Sequence, residues 1–301
     1  MKAIFVAGKS GQLAHCLAAA AQRRGVPLVA VGRPQLDLEA AATIERAVAA
    51  IDPAAIVNAA AYTAVDKAES EPARAFAVNR DGAGRLAAAA HRRGVPFIHI
   101  STDYVFDGRK GEPYTENDAT APLNAYGRSK LAGEQAVREA CPAALVLRTS
   151  WVYSPYGHNF VTTMVRRAAT VEEVRVVDDQ HGAPTAAGDL AGAILDILQR
   201  CSREEIAARA GVHNLAAQGE TTWHGLAAAI FAGLSARGGR AVPRLVAISS
   251  AEYPTAARRP ANSRLDCAAI ERRFGIRLPP WRQSLNSCLD QLLAEAEPQR
   301  C

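Results

Sequence analysis

The chain has 301 residues, a formal net charge of +5 and a pI near 9.0. Hydrophobic residues make up 49% and charged residues 22%, which fits a folded chain and excludes a disordered or collagen-like one. No apolar run reaches the ~18–20 residues needed to cross a bilayer, and no dense basic run with interleaved aromatics points to nucleic acid.

At roughly 150 residues per domain, the length fits one large domain or two unequal ones. Residues 3–7 are apolar and stop at Gly8, so they read as a strand and not as a signal peptide. The six cysteines form no close pair, which argues against zinc and redox motifs. A reduced chain in the cytoplasm is therefore expected. Of the 35 basic residues only Lys2, Lys9, Lys67, Lys110 and Lys130 are lysines. The modest positive charge suits an anionic small-molecule ligand.

Helix patterns at 12–24, 40–50, 73–93 and 129–140 alternate with apolar runs at 3–7, 26–31, 55–59, 97–101 and 144–149. Short apolar strands separated by helices predict βαβ units on a buried parallel sheet, a Rossmann-type doubly wound α/β fold. After residue 150 the rhythm loosens. Helices are expected at 159–169, 187–199 and 223–234, with a strand near 174–177. The predicted division is a dinucleotide-binding domain at 1–150 and a smaller α/β, mainly substrate-binding domain at 151–301. The second is partly interleaved with the sheet.

The first motif is Gly8-Lys9-Ser10-Gly11-Gln12-Leu13-Ala14, after a strand and opening a helix. Glycines let the backbone approach a pyrophosphate, and the helix N-terminus offers free N–H groups. It is not a P-loop, because the first glycine of that motif would fall on Ala3. At the end of the second strand, Gly32-Arg33 stands where an acid would hold the ribose of NAD. A guanidinium there suits the 2′-phosphate of NADP. Asp37 lies four residues on, toward the adenine side.

The most informative pattern is Ser101-Thr102-Asp103-Tyr104 at a strand end, followed by Tyr126-Gly127-Arg128-Ser129-Lys130. Tyr126 and Lys130 are one helical turn apart on one face. An ammonium near a phenol lowers its pKa and binds a ribose hydroxyl, and the phenol then protonates a carbonyl oxygen as hydride arrives at its carbon. Thr102 shares the developing oxyanion. Trp151, at a strand's carboxyl end, reads equally as core or as a sugar platform. Arg258, Arg259 and Arg264 read as a diphosphate clamp or as surface charge. The seven histidines show no metal-binding spacing.

These residues resemble the extended short-chain dehydrogenase/reductases. Segments 58–72, 101–108, 122–134, 148–153, 179–185 and 259–265 are similar to the dTDP-4-dehydrorhamnose reductase family within them. The resemblance spans roughly residues 1–290. It implies reduction of the C4 ketone of a dTDP-4-keto-6-deoxysugar by NADPH or NADH, with NADPH slightly favoured by Arg33. It makes Tyr126 the general acid, Lys130 its tuning partner and Thr102 the residue that orients the ketone. It assigns Gly8, Gly11, Gln12, Leu13, Asp37, Leu38, Ala61, Tyr62, Thr63 and Tyr104 to the cofactor. Asp103, Trp151, Arg259 and Asn262 go to the substrate. Ala14 replaces the third glycine often seen in the family, and Gly32-Arg33 replaces an acid. Mg2+ and a homodimer stay open, and no metal ligand is identified. Alternatives are a 4-ketoreductase for another dTDP-deoxysugar, a redox-neutral nucleotide-sugar epimerase or dehydratase, and a non-catalytic regulatory subunit like that of methionine adenosyltransferase.

Overall fold

The structure is a computed structural model that describes residues 2–238 and 242–296. Five strands, β1 (Ile4–Ala7), β2 (Leu28–Val31), β3 (Ala55–Asn58), β4 (Phe97–Thr102) and β5 (Leu145–Thr149), are joined by Gly211–Asn214 in one six-stranded sheet. Its order is Gly211–Asn214, β5, β4, β3, β1, β2, and every pairing is parallel. The chain moves outward from β1 to β2, then crosses back to β3 on the other side of β1. Loops leaving the carboxyl ends of β1 and β3 therefore diverge, and ligands bind at such a switch point.

The runs of β1, β3 and β5 lack a polar alternation because both faces of these inner strands are buried, whereas the edge strand β2 is partly exposed. Successive side chains still point to opposite faces. Ile4 and Val6 join a core with α1 (Gln12–Arg23) and the later helix Ala187–Arg200. Phe5 and Ala7 join the opposite core with α2 (Ala41–Ile51), α4 (Ala83–Arg93) and α5 (Ala125–Ala140).

Two of the helices expected in the first half differ from the sequence expectation. The expected helix at 73–93 is α3 (Pro72–Phe76), a wide π-helical stretch Ala77–Gly82, and α4. The wide turn carries Asn79 onto both Tyr62, which it meets through N–H and C=O, and the Ser129 hydroxyl. The expected helix at 129–140 begins four residues earlier, at Ala125. Asn124 caps it, its Oδ1 accepting from Gly127 N–H at 2.7 Å. Gly127 reads as a helix breaker but is required: a Cβ there would lie 2.3 Å from the Tyr104 carbonyl oxygen. This close approach seats the start of α5 on the end of β4.

In the second half, helices Phe160–Ala168, Trp223–Gly238 and Trp281–Ala296 and the paired strands Glu173–Val177 and Arg244–Ile248 surround a third core. Ala187–Arg200 returns to pack on α1, and Gly211–Asn214 returns to pair with β5. Among the described residues, no helix is long and apolar enough to cross a membrane.

Candidate active site

A cleft of about 720 Å³ opens at the switch point. Its floor is the loop after β1. Gly8 has φ +110°, and a Cβ there would lie 3.1 Å from the Ala60 amide nitrogen, so the loop can pass close to β3 only as glycine. Gly11 leads into α1 with no side-chain cap and no acidic residue in the first turn. The positive end of α1 thus faces the cleft with its N–H groups free. Leu13 lines the cleft. The Gln12 side chain also ties the floor to the second half, its Oε1 accepting from Ser154 and Asn159 at 2.9 Å each.

One end of the cleft is lined by Lys9, Gly32, Arg33, Asp37, Leu38, Glu39 and Arg74. Gly32 leaves room for Lys9, whose Cβ would be 3.0 Å from a Cβ at that position. Arg74 is engaged by Glu39 at 3.3 Å. Ala61, Tyr62 and Thr63 form the wall after β3. The Tyr62 hydroxyl donates to Glu71 Oε2 at 2.9 Å.

At the other end, β4 and α5 bring Thr102, Asp103, Tyr104, Tyr126 and Lys130 together. Tyr104 and Tyr126 pack edge to face, with ring centroids 5.5 Å apart. The Thr102 hydroxyl donates to Asp103 Oδ1 at 3.0 Å and accepts from Tyr104 N–H at 3.2 Å. Burial raises the Tyr126 pKa, and the Thr102 hydroxyl beside it opposes that rise. Lys130 is 2% exposed, and its Nζ donates to the Ile100 carbonyl at 2.6 Å. Burial pulls its pKa down to about 8, against the pull of Glu134. Asp103 is buried and pushed up to about 6, with the hydroxyls of Ser263 and Thr102 opposing. Asp103 Oδ2 is buried and has no hydrogen-bond partner among the described residues. Thr149 Oγ1, on the neighbouring strand in register with Thr102, is likewise buried without one. Two unmatched polar atoms beside a tyrosine and a lysine suit a polar ligand.

Three comparisons bear on this arrangement. The family model described as RmlD substrate binding domain matches residues 1–294. The chain is 50% identical over 294 residues to a Sinorhizobium fredii protein named dTDP-4-dehydrorhamnose reductase, covering 98% of this chain and 99% of that protein. A Burkholderia thailandensis protein of the same name is 46% identical over 297 residues, covering 97% and 99%. The chain belongs to the dTDP-4-dehydrorhamnose reductase family. Solved structures agree. A dTDP-4-dehydrorhamnose reductase from Clostridium acetobutylicum superposes with a TM-score of 0.88 at 33% identity, covering 96% of this chain and 99% of that one. One from Bacillus anthracis, in complex with NADP, gives 0.88 at 32%, with the same coverage.

Within this member of the dTDP-4-dehydrorhamnose reductase family, the expected cofactor residues and Thr102, Asp103, Tyr126, Lys130 and Trp151 all line one cleft. Arg259 and Asn262 are not among the lining residues. The Arg259 guanidinium grips Asp66 at 2.7 and 3.1 Å. Asn262 is buried and donates to the carbonyls of Lys110 and Glu112. Among the described residues, no three His, Cys, Asp or Glu side chains gather to hold a metal ion.

Several participants are not evident in the sequence reading. Trp223 lines the cleft and stacks on Trp151, with centroids 3.6 Å apart and planes 9° from parallel. Gly182 leaves space for the Trp151 ring, since a Cβ there would fall 2.4 Å from it. No local signal links residues 151 and 223. His99 does have a signal: it is the one ring nitrogen base in the apolar strand β4, two positions from Ser101 on the same face.

Proposed function

We propose that the protein reduces the C4 ketone of dTDP-4-dehydro-6-deoxy-L-mannose to give dTDP-L-rhamnose, using NADPH or NADH. The observation that carries this reading is the convergence of Thr102, Tyr126 and Lys130 in the cleft that begins at the Gly8 loop, in a chain of this family. The residues fit a dinucleotide. The glycine cradle at Gly8 and the uncapped start of α1 suit a pyrophosphate, and Lys9 and Arg33 suit a 2′-phosphate. Tyr62, Thr63 and Tyr104 wall the path between those ends.

When bound, the nicotinamide supplies the hydride. The chain's own residues do the rest. The Thr102 hydroxyl turns from Asp103 Oδ1 to donate its one hydrogen bond to the C4 oxygen and holds it beside the Tyr126 phenol. Tyr126 gives its proton to that oxygen as the carbon is reduced. Lys130 binds the ribose and stabilises the phenolate left behind. Asp103 accepts from a sugar hydroxyl, and Trp151 packs on the sugar. Arg259 meets the nucleotide diphosphate from its seat on Asp66, and Asn262 holds that loop through the carbonyls of Lys110 and Glu112. In this reading residues 1–150 hold the cofactor, and residues 151–301 hold most of the substrate in a cytoplasmic enzyme.

The test supplies dTDP-4-dehydro-6-deoxy-L-mannose with each reduced cofactor, then follows cofactor loss and identifies the product. The expected result is one cofactor oxidised per sugar reduced, with dTDP-L-rhamnose as product. A different 6-deoxysugar would assign the protein to another dTDP-sugar. Tight cofactor with no net oxidation would assign it to the redox-neutral enzymes, and no turnover at all would overturn catalysis.

A further inference from the structure

Phe97, His99 and Ser101 project from β4 toward α5. His99 is fully buried, and its Nε2 lies 3.4 Å from Lys130 Nζ. Across the ring, its Nδ1 lies 3.0 Å from Asn58 Nδ2. The Asn58 carboxamide has one favourable orientation. Its Oδ1 accepts from Ala60 N–H at 3.2 Å, and reversing it would set two N–H donors face to face. Asn58 therefore donates to Nδ1. Burial keeps the ring uncharged, holding His99 well below the ordinary histidine value. A neutral imidazole that accepts at Nδ1 carries its proton on Nε2. That N–H points at Lys130. An ammonium has only donors and cannot accept it, whereas an amine can.

We propose that Asn58 and His99 are positioning residues for Lys130: the tautomer imposed by Asn58 aims an N–H at Nζ and favours the amine over the ammonium. This deepens the proposed reductase site and rests on Lys130 acting there. No other group facing Lys130 pushes the same way. Glu134, one turn along α5, favours the ammonium but is held by Arg148 of β5 at 2.9 and 2.7 Å and by Ser101. Asp103 and Tyr104 follow the strand end, and Tyr126 shares the helix. On the flanking helices Arg80 pairs with Asp81, and Arg85, His91 and Arg92 are exposed. The consequence is a lysine that loses its proton at a lower pH than an ordinary lysine, on the same helix face as the phenol, so the basic limb of turnover follows Lys130.

The test is NMR on the full chain with labelled histidine and lysine. Five lysines make the Lys130 signal assignable by its loss in Lys130→Met. In the wild type the His99 nitrogen shifts should show the proton on Nε2. Asn58→Asp lets a carboxylate accept from Nδ1, so the proton should move to Nδ1 and Lys130 should titrate about one unit higher or more. His99→Gln adds no charge, and its carbonyl can accept from Nζ, so it should shift Lys130 in the same direction. A wild-type proton on Nδ1, or a Lys130 midpoint unchanged in both variants, would overturn the proposal. Reductase turnover measured on the same samples keeps the two readings apart. Lys130 shifts in a protein that never reduces a ketosugar would sink the reductase reading alone.

Discussion

The Asp66 carboxylate and the Arg259 guanidinium meet in a two-pronged ion pair at 2.7 and 3.1 Å. Asp66 also accepts from the Ala257 N–H at 3.0 Å. The pair joins the segment after β3 to the 251–260 loop, next to the cleft residues Val65 and Tyr104. Arg259 therefore has a fixed place at the mouth, and its guanidinium in return holds the Asp66 carboxyl below the ordinary carboxylate value. Asp66→Asn should loosen that loop. Because the pair is partly solvated, the effect is modest: KM for the nucleotide sugar should rise about three- to tenfold, with kcat nearly unchanged. Steady-state kinetics check this, and an equal loss in kcat would place Arg259 in the chemistry instead.

Tyr126→Phe removes the proposed proton donor and leaves the ring that packs on Tyr104. Turnover should fall by roughly 10²–10⁴-fold, while cofactor affinity changes by less than about threefold. Turnover close to wild type would exclude Tyr126 as the acid. Binding is measured separately, by fluorescence titration with the reduced cofactor.

Arg33→Ala tests cofactor choice. Lys9 and Arg33 line the end of the cleft with no acid from β2 beside them, whereas Arg74 is drawn to Glu39. KM for NADPH should rise about tenfold and KM for NADH by less than about twofold. Equal changes would remove the 2′-phosphate from the account.

Asp103 yields a pH prediction for stability. Its folded pKa is raised from an ordinary 3.8 to about 6 by burial. The folded state thus holds this proton more tightly than the unfolded state. The associated stability is fully present below pH ~4 and is lost as pH rises through about 6. Asp103→Asn keeps the shape without the charge. It should be more stable than wild type near pH 8, by at most about 3 kcal/mol, and the gain should vanish near pH 4. Thermal unfolding at several pH values measures it, and a gain independent of pH would contradict the shift.

Much of the glycine-loop side of the cleft is legible in sequence because its signals are local. The Gly8 loop follows a strand directly, and strands buried on both faces leave unbroken apolar runs. Tyr126 and Lys130 are legible through helical spacing. Other features depend on contacts distant in sequence. Gly211–Asn214 is short and half polar, and only its pairing with β5 makes it a sheet strand. Gly127 discourages helix locally, yet the approach of α5 to the Tyr104 carbonyl demands it. The same holds for the mouth: nothing near Arg259 in sequence indicates that Asp66 holds it, and nothing near Trp151 indicates the stack with Trp223.

The most direct test of the central claim follows the hydride itself. Incubating the enzyme and the dTDP-4-keto-6-deoxysugar with NADPH deuterated on the transferring face should place one deuterium on C4 of the product sugar. A product sugar without deuterium at C4, or deuterium that stays on the cofactor after the sugar has changed, would contradict the account.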